Sequence, residues 1–317
     1  MTEKTVSVVM ATYNGEKYIR EQLDSIIAQT YPIYELIIQD DCSTDHTVDI
    51  CKSYADRYPF VHIYQNEHNL GYNNNFETAA MRATGDLVAL SDQDDIWFKD
   101  KIARQVAAIG DHDACGSQHL RGKTLDSSHL VNPQHALEAL LYNGFAGHTL
   151  LLRRTFIQKP STWSLPVIFD WGIEVNAQLG GELVMVDAPL NWHRDNDDSA
   201  CHVGNRQHGI TDKKELIRPY ISGFANYRRL QQKAQWKAFY TYIHEHSAGQ
   251  PRLALAHRMS GYMLDRSLIS TLRLCLLCLQ HGPTIYYSKG EKGLMGKLRA
   301  FCYPFIFAYN NYSFDRQ

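Results

Sequence analysis

The chain has 317 residues, a formal net charge of -2 and 44% apolar residues. This length suits an α/β domain with an added segment, and the ordinary soluble composition excludes a largely disordered chain. The near-neutral total hides an asymmetry: residues 1–200 hold 15 basic and 28 acidic groups, whereas residues 201–317 hold 17 and 6. An acidic first part and a basic second part imply different partners for each. The opening MTEKTVSVVMATYNGEKY puts charge at both ends of a strand-length apolar run, so a signal peptide is not expected. Nowhere do about 18 uncharged apolar residues run together to span a bilayer. Seven cysteines without a regular framework fit reduced thiols in a cytosolic chain. Cys275 and Cys278 form a CxxC with no second pair nearby, which argues against zinc.

Strand and helix patterns alternate from the start. Thr5–Ala11 is a β-branched apolar run closed by the turn residues TYNG, and Tyr18–Gln29 places Ile19, Leu23, Ile26 and Ile27 at helical spacing. Pro32 ends that helix, and YELIIQD is a strand ending on Asp40 and Asp41. A helix from Ser43 to about Tyr58, the strand FVHIYQN, a helix over Phe76–Ala83 and the strand DLVALSD follow. Lys99–Ile109 is amphipathic. Residues 111–190 parse less clearly; Phe145–Leu152 (FAGHTLLL) reads as a strand, and FDWGIEVNAQLGG as a helix started by an N-cap Asp. Beyond about Ile210 the chain turns helical, with residues 256–280 as the longest candidate. The rhythm predicts a mostly parallel, Rossmann-like sheet with helices on both faces over residues 1–205, then a basic helical extension over 206–317.

In such sheets, ligands bind beyond the carboxyl ends of the strands. Three strands end in polar clusters, TYNG, DDCSTD and SDQDD, so the topology brings them to one edge. Tyr13 suits stacking on a base, and Asp41 can accept the imide hydrogen of uracil or thymine; packing and helix capping are their ordinary alternatives. SDQDDIW sets three carboxylates into four positions, an arrangement that resists desolvation unless a cation or hydrogen-bonding ligand compensates it. Alternation points Asp92 and Asp94 toward the ligand side, where hard oxygen donors hold Mg2+ or Mn2+ against a diphosphate. Asp95 is expected to face elsewhere and cap the next helix.

The segments SVVMATYNGEKYIREQLDSIIAQTYPIYELIIQDDCSTDHT, NLGYNNNFETAAMRATGD and ALSDQDDIWFKDKI resemble inverting family 2 glycosyltransferases of the GT-A fold. The form SDQDDIW is most similar to their rhamnosyltransferase-like branch. The resemblance is dense over residues 5–110 and thin to about 200. It implies nucleotide-sugar contacts at Ala11, Thr12, Tyr13, Asn14 and Asp41, supporting roles for Asn69, Gly71 and Asn75, and a DxD motif of Asp92 and Asp94, in which one carboxylate commonly contacts the donor ribose and the other the metal, so that both are metal candidates and Asp92 is also a nucleotide-sugar contact. A general base is implied at a helix start, where Asp170 of FDW matches and Glu174, one turn on, is the reserve. NWHRDNDDS stands where a His-containing segment is expected, so His193 is a candidate metal ligand and Arg194 a candidate phosphate contact.

The basic part carries Arg228, Arg229, Lys233 and Lys237 at partly helical spacing, for which a solvated face is the default reading. Leu294–Tyr309 mixes cations with aromatics, a combination that favours an anionic membrane interface. Nucleic acid is not expected as a partner, since no recognised motif appears and the acidic part would repel a polyanion. The reading is a cytoplasmic, peripherally membrane-associated glycosyltransferase that uses a dTDP- or UDP-sugar. Rhamnose or another hexose would pass to a glycan or lipid-linked saccharide in cell-surface polysaccharide synthesis. The alternative is a non-catalytic nucleotide-sugar-binding scaffold. A nucleotidyltransferase would need a glycine- and lysine-rich phosphate loop, which TYNGEKY lacks.

Overall fold

The computed structural model describes residues 3–181, 183–196, 218–286, 293–310 and 314. Two compact units are present: Met1–Asn132 with Ala146–Trp163 and Gly180–Ser199, and Pro133–Phe145 with Ser164–Leu179 and Ala200–Gln317.

The first unit starts with β1 (Val6–Thr12), α1 (Ile19–Ile27), β2 (Glu35–Asp40), α2 (Thr47–Ala55), β3 (Val61–Gln65), α3 (Tyr72–Arg82) and β4 (Leu87–Ser91). This is the alternation that the apolar runs dictate: β1, β2 and β4 are buried almost throughout, and α1 buries Ile19, Leu23 and Ile26 at helical spacing. β1 pairs in parallel with β2 and β4, with Thr12 opposite Asp40 and Met10 opposite Ser91. Their carboxyl ends, and the loops that follow, therefore share one edge.

Beyond β4 the sheet is mixed. β5 (Ile96–Trp97), α4 (Lys101–Ile109), β6 (Ala114–Gly122) and β7 (His129–Val131) come first. The second unit contributes α5 (Leu137–Leu140), and the first then adds β8 (Leu151–Arg153) and α6 (Arg154–Ile157). After α7 (Phe169–Gly180), β9 (Leu183–Arg194) completes the order β3-β2-β1-β4-β8-β6-β9-β5, with β7 on β6. β9 runs parallel to β6 with register shifts around Gln118, and antiparallel to β5, setting Ile96 opposite Trp192 and Trp97 opposite Asn191. The expectation of a continuous strand over Phe145–Leu152 is corrected. Gly147–Thr149 forms a 3-10 turn, and only Leu151–Arg153 extends beside β4 and β6. The turn is closed by Thr149 N and Leu150 N donating to the carbonyls of Ala146 and Gly147.

The second unit is helical: α8 (Arg218–Leu230), α9 (Ala234–Ser247), α10 (Ala254–Leu264), α11 (Leu268–Gln280), α12 (Gly282–Ile285), α13 (Leu294–Phe301) and α14 (Tyr303–Asn310). Aromatic rings fill its core, with Trp171, Trp236, Phe239, Tyr240 and Phe314 in mutual contact. The single helix expected over residues 256–280 is broken between Leu264 and Leu268. Ser267 caps α11 by accepting from Ser270 N, and Asp265 accepts from Ser267 N, Ser267 Oγ and Ser270 Oγ. Local side-chain acceptors thus replace the helical bonds across the break.

Candidate active site

The three polar clusters meet at the sheet edge and lock one another. Gln93 clamps the backbone of Tyr13 from both sides: Tyr13 N donates to Oε1 at 2.9 Å, and Nε2 donates to Tyr13 O at 3.0 Å. Asn14 N donates to Ser43 Oγ, while Asn14 Oδ1 accepts from Thr44 N. Asn14 and Cys42 hold φ of 49° and 65°, a left-handed conformation that is strained for a cysteine and is kept by these cross-loop bonds. Gly15 sits so close that an added Cβ would collide with the Gln93 side-chain amide. Within this frame Tyr13 is 49% exposed.

Thr12 donates its hydroxyl to Asp40, and Ala11 lies in β1 opposite Gln39. Asp41 is buried, and its carboxylate accepts from Asn66 Nδ2, Leu70 N and Gly71 N. Among the described residues three of its roughly four acceptor positions are thus filled, leaving one on Oδ2. Asn69 donates to Asp41 O and accepts from Gly71 N; Asn75 donates to Gln39 O and accepts from Asn66. The three residues named for support by resemblance surround Asp41, and Asn66, which sequence reading passed over, links them.

The carboxylates after β4 are arranged differently from expectation. Asp95 does not cap a helix: it is fully buried, and its Oδ1 lies 2.9 Å from His193 Nδ1 and its Oδ2 3.1 Å from His148 Nδ1. Asn191 Nδ2 donates to Asp95 Oδ2 at 3.1 Å and stands 2.8 Å from His148 Nδ1. The rings of His148 and His193 stack at 4.8 Å, and the edge of His119 meets both. The pairing of β5 with β9 is what brings Asp95 beside Asn191 and His193.

One donor atom from each of Asp92, Asp95, His148 and His193 lies within 4.8 Å of those of the others. This group contains two of the expected metal residues, Asp92 and His193, adds Asp95 and His148, and leaves out Asp94. Asp94 Oδ2 instead accepts from Asn196 Nδ2. The donor set fits a divalent ion: it offers two carboxylates and two imidazoles, and His148 Nε2 is buried without a hydrogen-bond partner among the described residues. Mixed oxygen and nitrogen donors suit Mn2+ better than Mg2+, which prefers oxygen alone.

The electrostatics follow from burial. Desolvation, and then the Asp95 charge, push Asp94 up to about 6. Burial alone would pull His193 down, but its hydrogen-bonded partner Asp95, with Asp92 and Asp94, raises it to about 9. His119 is pulled down to about 3 and His148 well below its usual value, first by burial and then by the neighbouring imidazole of His193. The cluster therefore favours one positive charge at His193, where a bound cation would supply it. Lys101, fully buried in α4, is brought down to about 7 by desolvation, and its Nζ has no hydrogen-bond partner among the described residues.

Arg194 is held on the other face of β9. Its guanidinium lies over the Tyr18 and Trp192 rings at 4.4 and 4.5 Å, Nη2 donates to Glu21 at 2.6 Å, and Nε donates to Asp94 O. In the second unit, Asp170 occupies the first turn of α7, and its Oδ1 accepts from Trp171 N. Glu174 is fully buried and accepts from Phe145 N. Burial, and then the Asp170 charge, raise it well above the ordinary carboxylate range.

Residues 7–164 match the model of glycosyl transferase family 2. Through this domain the chain belongs to that family. The putative teichuronic acid biosynthesis glycosyltransferase TuaG of Bacillus subtilis is 35% identical over 149 residues, 46% of this chain and 58% of that protein. The dTDP-rhamnosyl transferase RfbG of Shigella flexneri is 41% identical over 105 residues, 32% of this chain and 36% of that one. The chain thus spans about a third to three-fifths of these relatives. Among solved structures, the mannosyltransferase PcManGT of Pyrobaculum calidifontis, in complex with GDP-Man and Mn2+, superposes with a TM-score of 0.54 at 17% identity, covering 100% of this chain and 89% of that one. A TarS fragment of S. aureus in complex with UDP-GlcNAc gives 0.53 at 18%, covering 89% and 82%. The structural similarities establish the GT-A fold.

Proposed function

We propose that this glycosyltransferase uses a divalent ion to move rhamnose or another hexose, with inversion, from a dTDP- or UDP-sugar to a glycan or lipid-linked saccharide during cell-surface polysaccharide synthesis. The observation that carries the reading is the placement of Asp92, Asp95, His148 and His193 at the sheet edge that also presents the Tyr13 ring and Asp41. The dTDP-rhamnosyl and teichuronic acid relatives support the donor and the pathway class.

In this reading Asp92, Asp95, His148 and His193 hold Mn2+ or Mg2+, which supplies positive charge against the departing diphosphate. Tyr13 stacks on the base, the open acceptor position of Asp41 takes its imide hydrogen, and Asp94 reaches the donor ribose. Asp170 removes the proton of the attacking acceptor hydroxyl, so no covalent intermediate forms. Glu174, buried against Phe145 N, supports the start of α7. The basic unit brings the enzyme to an anionic membrane where a lipid-linked acceptor resides.

The test is donor binding and turnover across UDP-, GDP- and dTDP-sugars with and without Mn2+, for the native protein, Asp92→Ala and Asp170→Asn. Expected are metal-dependent binding of one donor, loss of binding in the first variant, and retained binding with lost transfer in the second. Donor binding without turnover on any acceptor would leave a scaffold, and equal binding by native protein and Asp92→Ala would remove the site.

A further inference from the structure

Eight of the fifteen exposed large apolar residues among those described lie on α11 and α13, two helices that pack together. On α11 they are Leu268, Ile269, Leu272, Leu276 and Leu279, with Leu268 and Ile269 exposed by 68% and 64%. At about 100° per residue these five fall within a single arc of about 100°. Ser270, Thr271, Leu274, Cys275 and Cys278 face the unit's interior. On α13 the exposed residues are Leu294, Met295 and Leu298. An apolar stripe of this kind, left to water, marks an interaction surface.

The charge carried by the two helices has one sign. α11 carries Arg273 as its sole charged residue, and α13 carries Lys297 and Arg299. Arg273 borders the arc and also lines a cavity of about 410 Å³ with Arg258, His244, His257, Tyr262 and Ser270. Neither Arg258 nor Arg273 has a hydrogen-bond or ion-pair partner among the described residues. The carboxylate at the cavity, Asp265, is engaged by Ser267 and Ser270. His244 and His257 stack at 4.0 Å, and the Nδ1 of each lies 2.9 Å from the other's backbone carbonyl. A carbonyl only accepts, so both Nδ1 atoms carry hydrogen and each Nε2 is left for a ligand.

We propose that α11 is a membrane-docking face: its apolar arc enters the interface of an anionic bilayer, and the Arg258–Arg273 cavity beside it receives a lipid headgroup phosphate. The proposal rests on the reading of the second unit as the membrane-facing part of the transferase, and names the surface and the chemistry. Charge complementarity decides the occupant. Pairing with a second copy would bring like charges together, because α11 and α13 present cations alone, and an anionic lipid surface matches them. The guanidinium fork adds bidentate recognition of phosphate.

The experiment is flotation of the full chain with phosphatidylcholine vesicles and with vesicles also containing phosphatidylglycerol. The native protein is compared with Leu272→Glu/Leu276→Glu and Arg258→Ala/Arg273→Ala. The substituted side chains are exposed, and donor binding with circular dichroism verifies that each variant folds. Expected are salt-sensitive binding of the native protein to anionic vesicles and a drop in partitioning of about tenfold or more in both variants, with donor affinity unchanged. Absence of native binding, or variants that bind like the native protein, would overturn the proposal. A dimer broken by Leu272→Glu/Leu276→Glu, with no vesicle binding, would also overturn it in favour of self-association. Flotation is read without turnover, so a protein that floats yet transfers no sugar retains this face and loses the catalytic reading.

Discussion

Asp95 and His193 meet at 2.9 Å, carboxylate Oδ1 to imidazole Nδ1, although 98 positions separate them in the chain. The contact fixes the ring and leaves its Nε2 as the nitrogen able to face a ligand. Asp95 also touches His148 through its other oxygen, so one carboxylate sets the orientation of two imidazoles.

Asp95→Asn should therefore weaken Mn2+ binding by at least about 10- to 100-fold, the range for losing an orienting partner alone, since Asp95 is also one of the four proposed donors. Calorimetric titration of the ion into the full chain measures this, and unchanged affinity would remove Asp95 from the centre.

Gln93 and Gly15 should act as one unit. Gln93→Ala deletes both bonds to the Tyr13 backbone, and Gly15→Ala drives a methyl group into the Gln93 amide. Each variant is expected to cost donor affinity by about 1–3 kcal/mol through the same displaced loop. The double variant should then cost much less than the sum of the two, which a double-mutant cycle on donor binding reads directly.

Glu174 ties stability to pH. Its folded pKa is raised, so between the unfolded value and the folded one the native state binds more protons, and stability falls as pH rises through that window. Glu174→Gln removes the titration. The variant should match the native protein in acid and become progressively more stable than it from about pH 4.5 upward, as measured by urea unfolding at several pH values. Parallel stability profiles for the two proteins would refute the assignment.

Ser267→Ala removes the cap of α11 and should cost about 1 kcal/mol in urea unfolding, with donor binding intact. Asp265→Ala, which loses three bonds, should cost more.

The first half of the fold is legible because β1, β2 and β4 are buried on both faces and read as unbroken apolar runs, punctuated by turn residues. β6 defeats that reading: ACGSQHLRG is polar, yet Gln118 and His119 are buried. Their environment comes from strands distant in sequence. His148 is hidden likewise, inside a segment whose apolar neighbours suggest a strand, and its contacts, Asp95 and Asn191, lie 53 and 43 positions away. The family motifs point to Asp92 and His193, whereas strict alternation assigns Asp95 to the far side of an extended segment. The break at Asp265–Ser267 did carry a local signal, Asp and Ser ahead of an apolar run, which the longer helical pattern obscured.

The irregular pairing of β6 with β9 around Gln118 makes the chemistry of β9 a matter of parity. Deleting a single residue in that stretch would turn the strand over, presenting the indole of Trp192 and the guanidinium of Arg194 where Asn191 and the imidazole of His193 now stand, and adding one would present Leu190 and Trp192 there. Two residues would keep the faces but carry the imidazole about 7 Å along the sheet, beyond the reach of Asp95. The strand itself is thus confined to one count.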